Sequence, residues 1–227
     1  MSASPDTKHA SLTDMIAEFQ ADLLPTLPAE VMQTMQQAGQ KIAALGIEQS
    51  ALKTGDRCPE FSLTNARGEH ISSRRLLAKS DLVISFYRGA WCPYCNLEIK
   101  ALSQNLAEIR AIGAELVAIS PQIPEKSEQQ SDSLKLDFEV LSDTGNQLAK
   151  QFGLVFTLPQ AVRPLYQAWE IDIPAHNGDD QFQLPVPATY IIDQAGFIRY
   201  HFVDSDYTKR LEPSVIMDQL RSFISHA

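Results

Sequence analysis

Apolar runs and their spacing divide the middle of the chain into strands and helices. Residues 81–87 are β-branched and aromatic without wide polar gaps, which is typical of a strand buried on both faces of a sheet. From Asn96 to Ile112 the apolar residues recur at helical spacing, and Gly113 supplies a stop signal. Residues 114–120 then predict a second buried strand that ends at Pro121.

The alternation continues toward the C-terminus. A polar helix over residues 125–134, a strand over 138–141 and a helix through Phe152 complete a β-α-β-α-β series, which predicts parallel strands with helices on both faces. Residues 61–64 and 69–71 predict one antiparallel hairpin, and 186–193 with 197–203 predict another, so the sheet is mixed. Residues 154–172 are aromatic and punctuated by prolines, 173–185 predict a surface loop, and 213–224 predict a final helix.

An N-terminal arm precedes this α/β unit. Residues 11–44 are helical in pattern and are interrupted at Pro25 and Pro28, which predicts two helices joined by a turn. Their apolar stripes favour packing over cofactor binding. We therefore expect an arm over residues 1–48 and a main domain over 49–227. The arm would cover that domain or a second subunit. A second copy of the chain is therefore one of the partners that we consider, in a homodimer.

Composition narrows the classes of function. The chain has 227 residues and a net charge of −9, with no basic cluster interleaved with aromatic residues, which argues against a nucleic-acid partner. No segment has the pattern of a signal peptide or the length of a membrane span. Three cysteines do not make a secreted disulfide framework. We expect a cytoplasmic protein without a membrane partner.

Two thiols three positions apart stand where the first buried strand gives way to the long helix. The free N–H groups and positive dipole at a helix N-terminus favour a thiolate, so Cys92 is the predicted nucleophile. Cys95, one turn further in and expected to be more buried, would attack a mixed disulfide or sulfenic acid formed at Cys92. Pro93 suits the first turn because its missing N–H costs nothing there.

Other roles for these thiols are weaker. A zinc site also uses Cys-x-x-Cys, but it needs two further ligands, and the sequence offers only Cys58 and no pair of histidines at metal spacing. A structural disulfide between adjacent turns closes too short a loop to stabilise much. Cys58, before a proline, is predicted to be a buried inert thiol. We expect no metal and no cofactor.

Short motifs in a fixed order resemble the alkyl hydroperoxide reductase and thiol-specific antioxidant family, a peroxiredoxin branch of the thioredoxin-like superfamily. The resemblance covers about residue 54 to the C-terminus and rests on Gly55-Asp56, Pro59-Glu60-Phe61, Phe86-Tyr87-Arg88-Gly89, Trp91-Cys92-Pro93-Tyr94-Cys95, Ser120-Pro121-Gln122, Leu141-Ser142-Asp143, Thr189-Tyr190-Ile191-Ile192-Asp193 and Gly196-Phe197-Ile198-Arg199. It implies an α/β thioredoxin-like fold with a central mixed sheet flanked by helices, a peroxidatic Cys92, and Pro187 as a cis-proline beside the thiols. An ordinary trans proline is the alternative at Pro187.

The sequence also departs from that family. Peroxiredoxins carry a Pro and a Thr or Ser upstream of the peroxidatic cysteine, whereas Gly89 stands three residues before Cys92 here. The usual peroxiredoxin Arg is missing from the segment before Thr189. Arg88 or, less favoured, Arg199 would then supply the cation that lowers the pKa of Cys92.

We therefore expect a thiol-dependent peroxidase for hydrogen peroxide or organic hydroperoxides. Cys92 would become a sulfenic acid, a Cys92–Cys95 disulfide would follow, and thioredoxin or another dithiol would reduce it. Arg88 is assigned to catalysis, and Trp91 and Pro187 to substrate binding. The alternatives are a thioredoxin- or glutaredoxin-like thiol–disulfide oxidoreductase, whose motif Trp91-Cys92-Pro93-Tyr94-Cys95 resembles, and a redox-responsive binding protein without turnover.

Overall fold

The computed structural model describes residues 10–224, which form ten α-helices and nine strands within that range. The helices are α1 (Leu12–Leu23), α2 (Ala29–Ala43), α3 (Ile47–Ser50), α4 (Ser73–Leu77), α5 (Pro93–Ile112), α6 (Pro124–Leu134), α7 (Gln147–Gln151), α8 (Arg163–Ala168), α9 (Ile173–Asn177) and α10 (Pro213–Ile224). The strands are β1 (Ser62–Asn65), β2 (His70–Ser72), β3 (Asp81–Phe86), β4 (Ala114–Ser120), β5 (Glu139–Ser142), β6 (Val155–Thr157), β7 (Gln183–Pro185), β8 (Ala188–Ile192) and β9 (Ile198–Val203).

Seven of these strands form one mixed sheet in the order β2-β1-β5-β4-β3-β8-β9. Strands β3, β4 and β5 are parallel neighbours, while the β1–β2 and β8–β9 hairpins are antiparallel. The predicted alternation of strands and helices and both predicted hairpins are therefore confirmed. Strand β3 lies inside the sheet, paired with β4 on one edge and β8 on the other, and it is buried on both faces because helices cover both sides.

Alternate residues of β3 enter two different cores. Val83 lies in a cluster with Cys92 and Cys95 of the long helix segment, whereas Leu82 and Ile84 lie in a cluster on the other face of the sheet. Helix α5 begins at Pro93 and ends before Gly113, which adopts a left-handed φ of 99° as a stop residue. The thiols therefore lie between the sheet and the first turn of α5.

The predicted N-terminal helices are present and pack on the α/β unit. Leu12 and Ile16 of α1 are buried in the same cluster as Cys92 and Cys95. Ala38 and Ile42 of α2 contribute to a third cluster around β6, β7 and the segment of α8. Residues 1–9 of the predicted arm lie outside the described residues.

Two predictions about the path of the chain are wrong. Residues 173–185 are not simply a surface loop, because they contain α9 and β7, with Ile173 and Leu184 buried and β7 paired to β6. Pro187 does not follow a cis peptide bond, since no cis bond occurs in the described chain. The chain runs on from β7 into β8 without a turn at this proline, and the trans form is the lower in energy for such a path.

Candidate active site

The thiols are positioned by the short connection between β3 and α5. Strand β3 ends at Phe86, and Cys92 is the N-cap residue of α5 with Pro93 at the first helical position. Gly89 turns the chain with φ +145°, and a Cβ added there would lie 2.5 Å from Nε1 of Trp91. Only glycine combines this backbone angle with such close approach of the indole ring.

Cys92 and Cys95 are both free thiols and are equally closed off from solvent. The expectation that Cys95 is the more buried of the two is therefore wrong, because both side chains lie in the same core cluster, against which Trp91 and Tyr207 also pack. Burial alone would raise the pKa of Cys92, but a hydrogen bond with Cys95 and the charges of Arg88 and Arg210 place that pKa well below its usual value. Burial raises the pKa of Cys95, and its contact with Cys92 raises it further. One thiolate, on Cys92, faces one thiol.

Arg88 supplies the nearest cation to Cys92. Its Nη2 donates a hydrogen bond to Cys92 Sγ at 3.2 Å, and its Nη1 donates to the hydroxyl of Tyr166 at 3.2 Å. The guanidinium is almost fully buried and lies over the rings of Trp91 and Tyr207, with 5.0 Å and 4.0 Å from Cζ to the ring centroids. Contacts on several sides fix the guanidinium against the sulfur.

A second arginine, Arg210, contacts the other thiol from a segment 115 residues further along the chain. Arg210 Nη2 lies 3.5 Å from Cys95 Sγ, and its Nη1 donates to Glu98 Oε2 at 2.5 Å. Both side chains of this ion pair are nearly fully buried. Burial raises the pKa of the Glu98 carboxyl, and the ion pair with Arg210 opposes that rise. The backbone oxygen of Tyr207 accepts two further hydrogen bonds from Arg210, at 3.0 and 2.7 Å.

Side-chain amides hold the loop between β3 and α5. The buried Gln122, which follows β4, accepts a hydrogen bond from the backbone N–H of Ala90 at 2.9 Å. Asn96 donates from its side chain to the Ala90 carbonyl at 2.7 Å. Gln130 links Asn96 to the hydroxyl of Tyr87, at 2.9 and 2.7 Å. The backbone that precedes Cys92 is therefore held from three elements.

Three other residues were predicted to belong to the site: Trp91, Pro187 and Arg199. Trp91 is partly buried and stands edge-on against Tyr166, with ring centroids 5.6 Å apart. Pro187 is buried and precedes Ala188, which pairs with Phe86 at the end of β3. Arg199, the alternative cation, instead forms an ion pair with Asp193 on the surface.

Cys58 lies apart from the two redox thiols. It packs in the core on the opposite face of the sheet, where burial raises its pKa to about 12. Such a thiol is almost entirely protonated at neutral pH, which matches the predicted inert role.

Sequence reasoning missed four residues of the site. Arg210 and Tyr207 belong to a polar loop after β9, Tyr166 to the aromatic segment after β6, and Glu98 to α5. Glu98 carries a local signal, because an acidic residue three positions after Cys95 lies on the same face of the helix. Tyr207 and Arg210 lie with Asp204, Asp206 and Lys209 in a polar loop that resembles the corresponding loop of the family, but that resemblance gives neither residue a role. Tyr166 shows no local pattern that would mark it.

The structure also bears on metals and membranes. Among residues 10–224, no group of three or more His, Cys, Asp or Glu side chains is arranged to hold a metal ion. Within the same range, no helix combines the length and apolar character that crossing a bilayer requires.

Most of the main domain is similar in sequence to known proteins. Residues 54–201 match the profile of the AhpC/TSA family. The chain is 34% identical over 103 residues to peroxiredoxin Bcp of Escherichia coli, which covers 45% of this chain. It is 24% identical over 170 residues, 74% of this chain, to the chloroplastic peroxiredoxin Q of Gentiana triflora. In both cases the chain spans 65% of the length of the relative.

Solved structures extend the comparison to the fold. The peroxidoxin BcpB of Mycobacterium tuberculosis superposes with a TM-score of 0.60 at 22% identity, covering 75% of this chain and 97% of that one. Likeness at this level of identity speaks for the fold, and the thioredoxin-like prediction is confirmed.

Proposed function

The chain belongs to the AhpC/TSA family, and on that premise we propose that it is a thiol-dependent peroxidase. The observation that carries the proposal is the 3.2 Å contact between Arg88 and the buried Cys92 sulfur. A peroxide needs a thiolate nucleophile beside a donor that stabilises the departing oxygen. Arg88 serves both requirements. Its guanidinium favours the thiolate form of Cys92, and it is also a donor next to the place where the oxygen would leave.

The first step consumes the peroxide. The Cys92 thiolate attacks the terminal oxygen of ROOH, an S–O bond forms, and the O–O bond breaks. The electron pair leaves with the other oxygen as RO⁻, which takes up a proton to become ROH, and Cys92 is left as a sulfenic acid. In the described part of the chain, Arg88 Nε and Trp91 Nε1 are buried N–H donors without a partner. They would take the place of the missing Thr or Ser hydroxyl in binding the peroxide.

The second step forms a disulfide. Cys95 attacks the Cys92 sulfur, an S–S bond forms, the S–O bond breaks, and the hydroxide that leaves becomes water by taking the proton that Cys95 gives up. Thioredoxin or another dithiol would then reduce the disulfide and become oxidised itself. Because both sulfurs are buried, entry of peroxide and of the dithiol requires movement of the covering rings, of which Trp91 and Tyr207 are partly exposed.

The setting of the enzyme is part of the proposal. We expect a cytoplasmic protein, where reducing conditions keep the thiols ready to react. Residues 1–48 would form the arm and residues 49–227 the thioredoxin-like domain, with Trp91 and Pro187 contributing to substrate binding. A homodimer would be built through the arm.

A thiol–disulfide oxidoreductase is the second candidate. Gly89 puts no hydroxyl near Cys92, and Trp91-Cys92-Pro93-Tyr94-Cys95 suits a disulfide substrate. The two functions separate in one experiment: reduced protein receives one equivalent of hydroperoxide, and its thiols are followed in time by mass spectrometry. The peroxidase proposal expects a transient oxygen adduct on Cys92, then a Cys92–Cys95 disulfide with Cys58 still reduced.

Two variants control that experiment. Cys95→Ser should consume one equivalent and stop at the Cys92 sulfenic acid, because the first step needs only the nucleophile. Cys92→Ser should consume none. If the wild-type protein reacts with hydroperoxide no faster than a free thiol at the same pH, yet turns over a small disulfide, the oxidoreductase replaces the peroxidase.

A further inference from the structure

Each of the two redox sulfurs has its own buried arginine. Arg88 contacts Cys92 at 3.2 Å, and Arg210 contacts Cys95 at 3.5 Å. Arg88 comes from the loop next to Cys92, whereas Arg210 is separated from Cys95 by 115 residues along the chain. Burying a second guanidinium at this depth is costly unless its charge is used or compensated.

Glu98 compensates that charge but does not displace Arg210 from the sulfur. Its carboxylate contacts Nη1 of Arg210, whereas Nη2 faces Cys95 and the Tyr207 carbonyl. Ser85 donates to the other carboxylate oxygen at 3.5 Å, from the strand beneath. The guanidinium is therefore fixed from two sides, and one of its N–H groups is aimed at Cys95.

The buried charges explain why a cation at Cys95 matters. In the buried ion pair Glu98 balances the charge of Arg210, which leaves one positive charge, that of Arg88, for a thiolate on Cys92 to balance at 3.2 Å. When Cys92 becomes a neutral sulfenic acid, that positive charge is again uncompensated. A thiolate on Cys95 would then restore neutrality, and Arg210 is the cation in contact with it.

We propose that Arg210, held in place by Glu98, is the catalytic cation of Cys95. It stabilises the Cys95 thiolate that attacks oxidised Cys92, and it stabilises the same thiolate as the leaving group when a dithiol attacks the disulfide at Cys92. In that second reaction the S–S bond breaks, its electron pair stays on Cys95, and the dithiol sulfur becomes bonded to Cys92. This inference rests on the proposed function for its place in the cycle.

The test measures the ionisation of Cys95 without any peroxide. The Cys92→Ser background removes the neighbouring thiolate, and the ultraviolet absorbance of the remaining thiolate is followed against pH. A Cys92→Ser/Cys95→Ser protein supplies the signal of Cys58 and the tyrosines for subtraction. The ionisable groups around Cys95 in the intact protein are Cys92 at the N-cap of α5, Tyr87 and Arg88 just after β3, and Arg210 from the loop before α10. Glu98 of α5 acts on Cys95 through its contact with Arg210.

Removal of the cation and removal of the anion should move the midpoint of the Cys95 titration in opposite directions. Arg210→Gln removes the cation and should raise the midpoint by about one pH unit, while Glu98→Gln removes the opposing anion and should lower it by about as much. Arg210 keeps its Tyr207 hydrogen bonds in the Glu98 variant, so its position is retained. Arg74→Gln, from an exposed ion pair with Glu60, is the matched control and should move nothing.

Shifts in the same direction, or no shift in either variant, would show that the ion pair is only structural. If Arg210→Gln does not fold, Glu98→Gln still decides: a lowered midpoint supports the proposal and an unchanged or raised midpoint overturns it.

Addition of hydroperoxide to the single variants in the Cys92-containing protein then separates the two steps of the cycle, sulfenic acid formation and disulfide formation. We expect Arg210→Gln to slow disulfide formation by about tenfold to a hundredfold and to slow sulfenic acid formation less. If Cys92 of the wild-type protein does not react with hydroperoxide, the peroxidase proposal fails. The titration still shows whether Arg210 stabilises the Cys95 thiolate.

Discussion

The ring of Phe19 stands edge-on against the ring of Tyr94, with the two centroids 5.2 Å apart. Phe19 belongs to the first helix and Tyr94 lies between the two redox cysteines, so the N-terminal arm touches the active-site motif directly. Glu212, which precedes α10, accepts hydrogen bonds from the backbone N–H groups of Leu12 and Thr13 at the start of α1, at 3.2 and 2.5 Å. The first helix is thus joined to the start of α5 and to the residue that precedes α10.

Removal of the Leu12 side chain should test how firmly α1 is anchored. Leu12 is almost completely buried beside the thiol cluster, so Leu12→Ala should lower the free energy of unfolding by about 2 to 5 kcal/mol. Leu24, which is 47% exposed and directly follows α1, is the matched control. Leu24→Ala should change stability by less than about 0.5 kcal/mol. Equal effects in a chemical denaturation experiment would mean that α1 is not part of the core.

Arg88 should control the reaction with peroxide. Arg88→Ala is expected to slow sulfenic acid formation by about tenfold to a hundredfold, because about 1.4–2.8 kcal/mol of charge stabilisation is lost. Arg199→Ala is the control, since Arg199 pairs with Asp193 at the surface. Stopped-flow measurement of Cys92 oxidation gives both rates. A rate in Arg88→Ala equal to that of Arg199→Ala would remove Arg88 from the mechanism.

The pH dependence of Cys92 should differ from that of an ordinary cysteine. An unperturbed thiol, with a pKa of about 8.5, is mostly protonated at neutral pH and loses reactivity further as the pH falls. The pKa of Cys92 is well below that of a free thiol, so its rate with a neutral alkylating agent should begin to fall at a lower pH than the rate of a free thiol does. In Arg88→Ala the fall should begin at higher pH, because a cation that favours the thiolate is gone. Identical profiles for the two proteins would contradict the assignment.

Gly89 should resist replacement. Gly89→Ala brings a Cβ to 2.5 Å from the Trp91 indole at a left-handed φ, so it should cost about 1 to 3 kcal/mol of stability and displace Trp91. Gly39 lies within α2, where an added Cβ meets no heavy atom within 4 Å. Gly39→Ala should therefore stabilise the protein by about 0.5 to 1 kcal/mol. Thermal unfolding and tryptophan fluorescence of the two variants would show opposite changes in stability and a spectral shift only for Gly89→Ala.

The sequence by itself determined the order of the main strands and helices and the position of Cys92 at the start of α5. These features follow from periods of two and 3.6 residues and from local signals such as Pro93 and Gly113, which act over a few neighbouring residues. The position of Arg88 four residues before Cys92 is equally local. The short strands and helices between residues 154 and 185 escaped because their prolines and brief lengths leave no full period to recognise.

Only the tertiary structure decided which charges meet the two sulfurs. Arg210 reaches Cys95 across 115 residues because the β8–β9 hairpin returns the chain beside α5, and no pattern within the loop itself encodes that approach. The sequence shows Glu98 only as a polar position on a helix, yet its side chain is buried in an ion pair with Arg210. Burial of both thiols likewise depends on rings from the loop, from α8 and from the segment after β9. Local patterns record which face of an element is apolar, whereas the partner of a buried charge is set by how distant elements pack.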